Sequence, residues 1–278
     1  MITRTAFSAA VCLCLTALPA PVGAACGTDP GACALDGREY HAAVPASPHA
    51  PIVVFLHGVG SSGGNVMRNT VLVDDILARG YAVLAPTGQR RFGPGAGRAW
   101  SFRPAEKRVA EADFLHRVVA DSARRFDLNA GRVLLAGFSN GAFLVNYLAC
   151  TAPDSFAAYA AVSGGFWRPL PENCAGPVRL FHTHGWADPT VPIEGRFLAR
   201  GRFQQGDIFA GLELWRQTNL CPHDKPSGFS RTGPFWRRNW RDCAPGAALE
   251  LALFPGGHQV PAGWADMVLD WFETVTVN

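Results

Sequence analysis

The chain has 278 residues, of which 48% are hydrophobic and 17% are charged, and its formal net charge is +3. This length suits one large domain with a buried core and is too short for two comfortable ones. The near-neutral charge gives no support for a nucleic-acid partner.

The amino terminus has the features of an export signal. Arg4 supplies a positive charge, residues 6–18 form an apolar stretch, and residues 22–24 are small, as at a cleavage site. The apolar stretch is too short to cross a bilayer and no later stretch is long enough, so no membrane span is predicted. We therefore expect a signal peptide at 1–24 and a single catalytic domain at 25–278.

Cys26, just after the expected cleavage site, raises lipid attachment as an alternative to soluble export. Gly23 stands where such sites usually carry leucine or another aliphatic residue. Soluble secretion, to the periplasm or the extracellular space, is the favoured prediction.

The other cysteines agree with export. Two of the eight, Cys12 and Cys14, lie in the expected signal peptide, and an even number remains. In an oxidising compartment an even number favours disulfides. Sequence proximity selects one set among many possible pairings: Cys26 with Cys33, Cys150 with Cys174, and Cys221 with Cys243. No Cys-x-x-Cys pair occurs and the histidines are scattered, so no metal is expected.

Apolar runs typical of buried strands recur along the mature chain. A first strand is expected within residues 38–47, and further strands are expected at 51–56, 81–86, 132–138, 157–162, 178–183 and 248–254. Their hydrophobicity is continuous rather than alternating, which indicates strands covered on both faces, as in a mainly parallel sheet.

Helical segments alternate with these strands. They are expected at 65–79, 105–126, 140–151, 206–218 and 263–275. The segment 105–126 has one apolar and one charged side, as in a helix lying on the surface. Regular alternation of strand and helix predicts an α/β fold with a mainly parallel central sheet and helices on both faces.

Two segments interrupt the alternation. Residues 89–104 are rich in Gly, Pro and Arg and are interpreted as a loop over the carboxyl edge of the sheet. Residues 221–247 include a run rich in aromatic residues and arginine. We interpret this run as an edge strand paired with 248–254, whose arginines mostly prevent edge-to-edge association. A nucleic-acid-binding patch is the alternative, which the expected export and the low net charge disfavour.

One short motif has a specific chemical meaning in this order of elements. Residues 137–141 read Gly-Phe-Ser-Asn-Gly, between an expected strand and an expected helix. This is the context of a nucleophile elbow. The sharp turn requires a positive φ at Ser139, and the two glycines remove clashes with the neighbouring strand and helix. A glycine-rich turn with an incidental serine is the alternative.

A nucleophilic serine needs a general base, and that base needs an orienting acid. Asp188 follows the strand expected at 178–183, and His258 follows the strand expected at 248–254. Both residues therefore fall on the same edge of the sheet as Ser139, in the order expected of this kind of elbow.

Other side chains compete for these roles. Glu194 and Asp207 lie further from the strand end and are interpreted as surface charges. His182 and His184 lie within or at the end of their strand and are interpreted as packed, structural residues.

Acyl transfer also needs fixed donors for the negative charge on the carbonyl oxygen. One predicted donor is the backbone N–H of Asn140. The second comes from the glycine-rich loop 57–64, where Val59 N–H is favoured and Gly60 N–H is the alternative. His57 is interpreted as a brace for this loop.

Five motifs together resemble a known family: Phe55-Leu-His-Gly-Val-Gly, Ala99-Trp-Ser-Phe, Ala136-Gly-Phe-Ser-Asn-Gly-Ala, His184-Gly-Trp-Ala-Asp-Pro-Thr-Val-Pro and Gly256-Gly-His. The chain is similar, from about residue 50 onward, to the exported polyhydroxybutyrate-depolymerase and feruloyl-esterase branch of the α/β-hydrolases. The resemblance implies the α/β-hydrolase fold and cleavage of carboxylic esters without a cofactor. It implies polyhydroxyalkanoate oligomers, feruloylated or acetylated polysaccharides, or aryl esters as substrates.

The chain departs from this family beside the expected site. Val260-Pro261 stands where relatives often have Trp-Pro, and Trp186 stands where a small residue is common. Four aromatic residues in the expected rim loops are candidates to contact substrate: Trp100, Phe166, Trp167 and Trp186. Ordinary packing is the alternative for each of them.

The function hypothesis is a secreted serine carboxylic-ester hydrolase that forms an acyl-enzyme. A serine exopeptidase on the same fold and a non-catalytic binding protein are the alternatives. The first usually carries an extra recognition domain, and the second tends to lose its serine or histidine. The expected partner is a small or oligomeric ester, and a monomer is expected.

Overall fold

The structure, a computed structural model, describes residues 25–95, 97–103, 105–222 and 225–276. The expected signal peptide at 1–24 lies outside the described residues. Within them, twelve strands form one sheet and two short strand pairs stand apart.

The strands are β1 (Ala25–Cys26), β2 (Asp29–Pro30), β3 (Cys33–Leu35), β4 (Arg38–Ala43), β5 (Ile52–Leu56), β6 (Ala82–Pro86), β7 (Arg90–Arg91), β8 (Arg98–Ala99), β9 (Val133–Phe138), β10 (Ala158–Val162), β11 (Arg179–Gly185), β12 (Phe197–Leu198), β13 (Phe203–Gln204), β14 (Gly228–Thr232), β15 (Phe235–Trp240) and β16 (Ala248–Phe254). The helices are α1 (Gly63–Met67), α2 (Thr70–Ala78), α3 (Ala105–Phe126), α4 (Asn140–Thr151), α5 (Ile208–Thr218) and α6 (Trp264–Thr276), and a 3₁₀ turn covers Pro153–Ser155.

The centre of the sheet is parallel. Strands β6, β5, β9, β10, β11 and β16 lie side by side in that order and all run the same way. Antiparallel strands flank them, with β4 beside β6 and β15 beside β16. A parallel arrangement brings the carboxyl ends of β9, β11 and β16 to one edge, where residues following each strand meet.

Each face of the sheet has its own core. Alternate residues of β5 divide between them: Ile52, Val54 and Leu56 pack with residues of α3, α4 and α5, whereas Val53 and Phe55 pack with residues of α1, α2 and α6. A strand covered on both faces needs consecutive apolar residues, which explains the continuous runs in the sequence. The prediction of an α/β fold with helices on both faces is confirmed.

The prediction of one continuous helix at 65–79 is wrong, because this segment forms two helices, α1 and α2. The break lies at Asn69, whose side-chain oxygen accepts a hydrogen bond from Leu72 N and caps the amino end of α2. An asparagine side chain competes with helical hydrogen bonding and favours such a cap.

Within the segment predicted as one edge strand, residues 228–240 form a hairpin. β15 pairs with β16 as predicted, and β14 pairs with β15 and forms the outer edge. Arg237 departs from the predicted role of the arginines, because it forms an ion pair of 2.5 Å with Glu250, which is 3% exposed. Burial raises the pKa of Glu250, which the neighbouring guanidinium opposes.

The structure contains the three disulfides expected from sequence proximity, Cys26–Cys33, Cys150–Cys174 and Cys221–Cys243. The sulfur of Cys26 is therefore not free for lipid attachment. Across the described ranges, none of the helices has the length and apolar character needed to span a bilayer.

Candidate active site

Ser139 sits on a strained turn between β9 and α4. Its φ is 54°, in the left-handed region that side chains rarely adopt. A Cβ atom on Gly137 would lie 2.7 Å from the carbonyl carbon of Gly141, and one on Gly141 would lie 2.4 Å from the carbonyl oxygen of Leu56. Both positions therefore require glycine, and the predicted elbow conformation is confirmed.

Ser139, His258 and Asp188 form one chain of hydrogen bonds. The Nε2 atom of His258 lies 2.9 Å from Ser139 Oγ, and its Nδ1 atom lies 2.7 Å from Asp188 Oδ2. The three residues follow β9, β16 and β11, so the parallel sheet brings together side chains that are 119 and 70 positions apart. These distances are within reach of proton transfer.

The carboxylate of Asp188 is held on both oxygens. Its Oδ1 atom accepts hydrogen bonds from Thr190 N at 2.8 Å and Val191 N at 2.9 Å, while Oδ2 faces His258. Burial opposes ionisation of this 5% exposed residue. The hydrogen bonds from His258 and the two amides nevertheless hold its pKa below the ordinary value. Asp188 is therefore a fixed anion beside the imidazole.

A pair of buried histidines lies behind Asp188. His184 Nε2 donates to the carbonyl oxygen of Val191 at 2.8 Å, and His184 Nδ1 lies 3.1 Å from His182 Nε2. Burial lowers the pKa of both rings, so both are neutral at neutral pH. Since His184 Nε2 carries a proton, a neutral His184 accepts from His182 at Nδ1. This agrees with the interpretation of both residues as structural.

The two segments predicted to supply oxyanion donors, the start of α4 and the loop after β5, both adjoin Ser139. Asn140 is the first residue of α4, and the first amides of a helix have no acceptor within it. On the other side, a Cβ atom on Gly58 would lie 3.5 Å from Ser139 Cβ, so the loop after β5 packs directly against the serine. The N–H of Gly60 already donates to Arg98 O at 2.8 Å, which favours Val59 over Gly60.

His57 orients the peptide group that carries Val59 N–H. The ring is 2% exposed. Its Nε2 accepts a hydrogen bond from Gly88 N at 3.0 Å, so in the neutral ring Nδ1 carries the proton. Nδ1 donates this proton in a hydrogen bond to Gly58 O at 2.7 Å. The carbonyl of Gly58 and the N–H of Val59 belong to one planar peptide unit. Fixing the carbonyl therefore fixes the direction of the amide. Burial lowers the pKa of His57 to about 4, so the ring is neutral at neutral pH.

Trp100 does not line an open cleft, because its side chain has no exposed surface. Its indole Nε1 donates to His57 O at 3.0 Å, and its backbone N donates to Asn140 Oδ1 at 2.6 Å. The residue thus connects the loop after β5 to the elbow. The sequence placed it in a rim loop, but a loop position does not determine where a side chain points.

The other aromatic candidates are placed differently from one another. Phe166 is 2% exposed and packs against Tyr147 and Trp215, so its burial does not support a substrate contact. Trp167 is half-buried against Phe102, Phe143 and Phe203. Trp186 is 62% exposed and directly follows β11. Of the four, only Trp186 is largely exposed.

A cavity of about 360 Å³ adjoins the site and was missed by the sequence analysis. Gly58 and His258 line it, together with residues of the α1–α2 segment such as Val66 and Leu72, and Val260. Apolar side chains of these helices have no pattern that distinguishes a cavity wall from a core. A larger cavity of about 530 Å³ lies between β15, β16 and α6 and is lined by none of the predicted catalytic, oxyanion or substrate-contact residues.

The chain has the α/β-hydrolase fold. Residues 39–170 match the family described as Esterase PHB depolymerase. The Probable feruloyl esterase C of Aspergillus niger is 29% identical over 247 residues, which are 78% of this chain and 85% of that protein. The bifunctional acetylxylan esterase/xylanase XynS20E of Neocallimastix patriciarum is 24% identical over 87% of this chain and 34% of its own length.

Solved structures agree on the fold. The acetyl xylan esterase from Aspergillus awamori superposes with a TM-score of 0.58 and 16% identity, over 85% of this chain and 94% of that one. The chain is thus similar in sequence to esterases of the polyhydroxybutyrate-depolymerase and feruloyl-esterase kind, which agrees with the resemblance seen in its motifs. It spans less than half the length of some of the curated relatives that it matches.

Proposed function

We propose that this protein is a serine carboxylic-ester hydrolase that acts through an acyl-enzyme. The observation that carries the proposal is the continuous hydrogen-bond chain from the strained Ser139 through His258 to the buried Asp188. A nucleophile, a base within reach and an acid that orients the base are the parts that acyl transfer requires. The names of the relatives, which are esterases and depolymerases, support the same conclusion.

In the proposed reaction, Ser139 Oγ attacks the ester carbonyl carbon while His258 Nε2 takes its proton. The electron pair of the carbonyl moves onto oxygen, and the N–H groups of Val59 and Asn140 stabilise that charge. When the carbonyl re-forms, the C–O bond to the alcohol breaks and His258 returns the proton to the leaving oxygen. Water repeats the sequence on the acyl-enzyme and releases the acid.

The test is replacement of the nucleophile. Ser139→Ala should lower kcat/KM by several orders of magnitude and abolish labelling by a fluorophosphonate probe. Ser163→Ala is a matched control, because Ser163 follows the neighbouring strand β10 with the same φ of 54° and a buried hydroxyl that has no partner within the described residues. Ester hydrolysis by Ser139→Ala within about tenfold of the parent would overturn the proposal.

The substrate class separates the proposed esterase from its rivals. A panel of methyl ferulate, acetylated xylan, hydroxybutyrate oligomers and para-nitrophenyl esters covers the chemistry named for the relatives. An aminoacyl anilide tests for an exopeptidase. Faster cleavage of the anilide than of every ester would contradict the esterase assignment.

We also propose that the protein is exported and that a leader covering 1–24 is removed. The three disulfides support an oxidising compartment. The mature protein should begin near Ala25, and amino-terminal sequencing of the secreted protein measures this directly.

A further inference from the structure

We propose that the cavity of about 530 Å³ between β15, β16 and α6 binds a small organic acid, whose carboxylate is held by Arg179, Arg241 and Asn239. The cavity lies where β11 and β16 begin, at the opposite edge of the sheet from Ser139 and His258. It is therefore a second site, separate from the catalytic groups, and its occupancy does not depend on the proposed function.

The register of the strands directs several polar side chains into this cavity. Asn239 on β15 pairs with Glu250 on β16. Arg179 on β11 pairs with Ala248, which lies two positions before Glu250. Paired residues, and residues two apart on one strand, point to the same face of a sheet. Arg237 lies two positions from Asn239 and shares this face, which α6 covers.

Both acidic side chains of the lining already have a partner. Glu250 is paired with Arg237, and Asp270 is paired at 2.8 Å with Arg79, which lies outside the lining. Burial raises the pKa of Glu250, which the guanidinium groups of Arg237 and Arg241 oppose. Since each carboxylate has its own guanidinium, neither one is left to attract a cation into the cavity.

The other two arginines of the lining are not paired with an acid. The Nε atom of Arg179 donates to Val275 O at 2.7 Å, which leaves both of its Nη groups without a partner among the described residues. Arg241 is exposed, and its guanidinium makes no hydrogen bond or ion pair within the described part of the chain. Two such groups at one cavity offer the N–H donors that a carboxylate accepts.

A buried amide adds a third donor. Asn239 is 7% exposed, and its side chain has no hydrogen-bond partner within the described ranges. Buried amides are rarely left without partners, because loss of water without a compensating hydrogen bond costs free energy. A ligand oxygen in the cavity would accept from this amide and remove that cost.

The size and charge of the cavity select an organic monoanion. Its volume of about 530 Å³ is typical of pockets for small organic ligands and far exceeds the size of an inorganic oxyanion. Leu249 and Trp271 in the lining are buried apolar residues, which suit a carbon skeleton. Three arginines against two acids leave one positive charge, which favours a carboxylate over the doubly charged form of phosphate.

The experiment measures binding by isothermal titration calorimetry to the Ser139→Ala variant, in which the proposed hydrolysis is absent. The probes are benzoate, benzamide, which has the same shape without the charge, and inorganic phosphate. Benzoate should bind once per protein with a Kd below about 1 mM. Benzamide and phosphate should each bind at least about tenfold more weakly, because one lacks the charge and the other lacks the apolar body.

Variants of the lining locate the bound acid. Arg179→Gln and Arg241→Gln should each weaken benzoate binding about tenfold, as expected for loss of a charge-assisted hydrogen bond, and Asn239→Leu about fivefold. The matched control is Arg238→Gln, because Arg238 lies on the same strand with its side chain on the opposite face. This control should leave the Kd within about twofold. Arg241 is exposed, so Arg241→Gln tests the site without disturbing the packing.

Four results would overturn the proposal. They are absence of benzoate binding, an unchanged Kd in both Arg179→Gln and Arg241→Gln, an equal loss in Arg238→Gln, and benzamide or phosphate binding as tightly as benzoate. The third would show attraction by the general surface charge, and the last would remove either the carboxylate or the carbon skeleton from recognition. None of them bears on the acyl-enzyme, whose own test is the loss of ester hydrolysis in Ser139→Ala.

Discussion

The loops on either side of Ser139 are held by the same kind of group in two different ways. In the loop after β5, a buried imidazole donates from His57 Nδ1 to Gly58 O. In the loop after β11, a buried imidazole donates from His184 Nε2 to Val191 O. Burial keeps the pKa of each ring low, so each remains a neutral donor of one hydrogen bond.

The difference lies in how far each ring is from a reacting group. His57 fixes the peptide unit whose N–H is proposed to bind the oxyanion. His184 fixes Val191, whose N–H in turn holds Asp188 Oδ1 at 2.9 Å. His184 Nε2 also lies 3.7 Å from Asp188 Oδ2, but its hydrogen bond goes to Val191 O, so it acts on Oδ1 only through Val191. Asp188 also keeps a second amide from Thr190. Gly58 O has a second donor too, Ser61 N, but at 3.3 Å against 2.7 Å for His57, whereas the two amides on Asp188 lie at nearly equal distances. Loss of His184 is therefore expected to have a smaller effect than loss of His57.

Asp188→Asn should give the largest effect among the residues of these two loops. In this variant the side-chain NH₂ group faces His258 and donates to Nδ1, which must therefore accept. The proton of the neutral ring then lies on Nε2, which can no longer take a proton from Ser139. In chymotrypsin-type triads the same change costs about 10⁴ in kcat, and a fall of about 10³–10⁴ is expected here. Steady-state kinetics with a para-nitrophenyl ester measures it. A loss under tenfold would show that the acid does not control the imidazole.

His57→Leu should lower kcat by about 10², close to the loss of one oxyanion donor. KM should change little, because the donor acts on charge that forms in the transition state. His57→Asn places an NH₂ group near the position of Nδ1 and should recover most of the loss. Similar kcat values for the Leu and Asn variants would contradict a positioning role. Thermal unfolding of both variants checks that the fold is retained.

His184→Leu should lower kcat only about tenfold, because one of the two amides on Asp188 is untouched. His184→Gln, whose NH₂ group matches the position of Nε2, should restore kcat to near the parent value. Kinetics of the two variants over pH 6–9 provides the measurement. A larger loss for His184→Leu than for His57→Leu would reverse the comparison between the loops.

The sequence predicted the parts of the site that depend on topology. Asp188 and His258 each follow a continuous apolar run, and such runs become neighbouring parallel strands because the sheet is covered on both faces. The glycines around Ser139 indicated the elbow because no other residue fits, as the contacts of Gly141 with Leu56 show. The order of the residues in the chain and their positions at strand ends were sufficient to predict that Ser139, Asp188 and His258 meet at one edge of the sheet.

The remaining features depend on side-chain direction and on contacts between distant segments. Trp100 and Phe166 lie in rim loops, as predicted, but their rings point into the protein, which no local pattern indicates. The break at Asn69 results from a side-chain cap inside an otherwise helical run. The cavity beside His258 is built from β5, the α1–α2 segment and the loop after β16, and only the folded chain brings these together.

The smallest predicted effect is on stability and tests whether both rings are neutral. The pKa of His57 is about 4 in the folded protein and ordinarily near 6.5, so the unfolded chain binds this proton more readily. Its contribution is present above about pH 6.5 and is lost as the pH falls toward the folded-state pKa, by less than about 1 kcal/mol between pH 7 and pH 6. Urea unfolding at these two pH values, with the disulfides intact, measures the loss. His57→Asn removes the titrating group and should reduce the loss of unfolding free energy between pH 7 and pH 6. His184→Gln should also reduce this loss, because burial lowers the pKa of His184 as well. A reduction in one variant and not the other would mean that only one loop is held by a neutral imidazole.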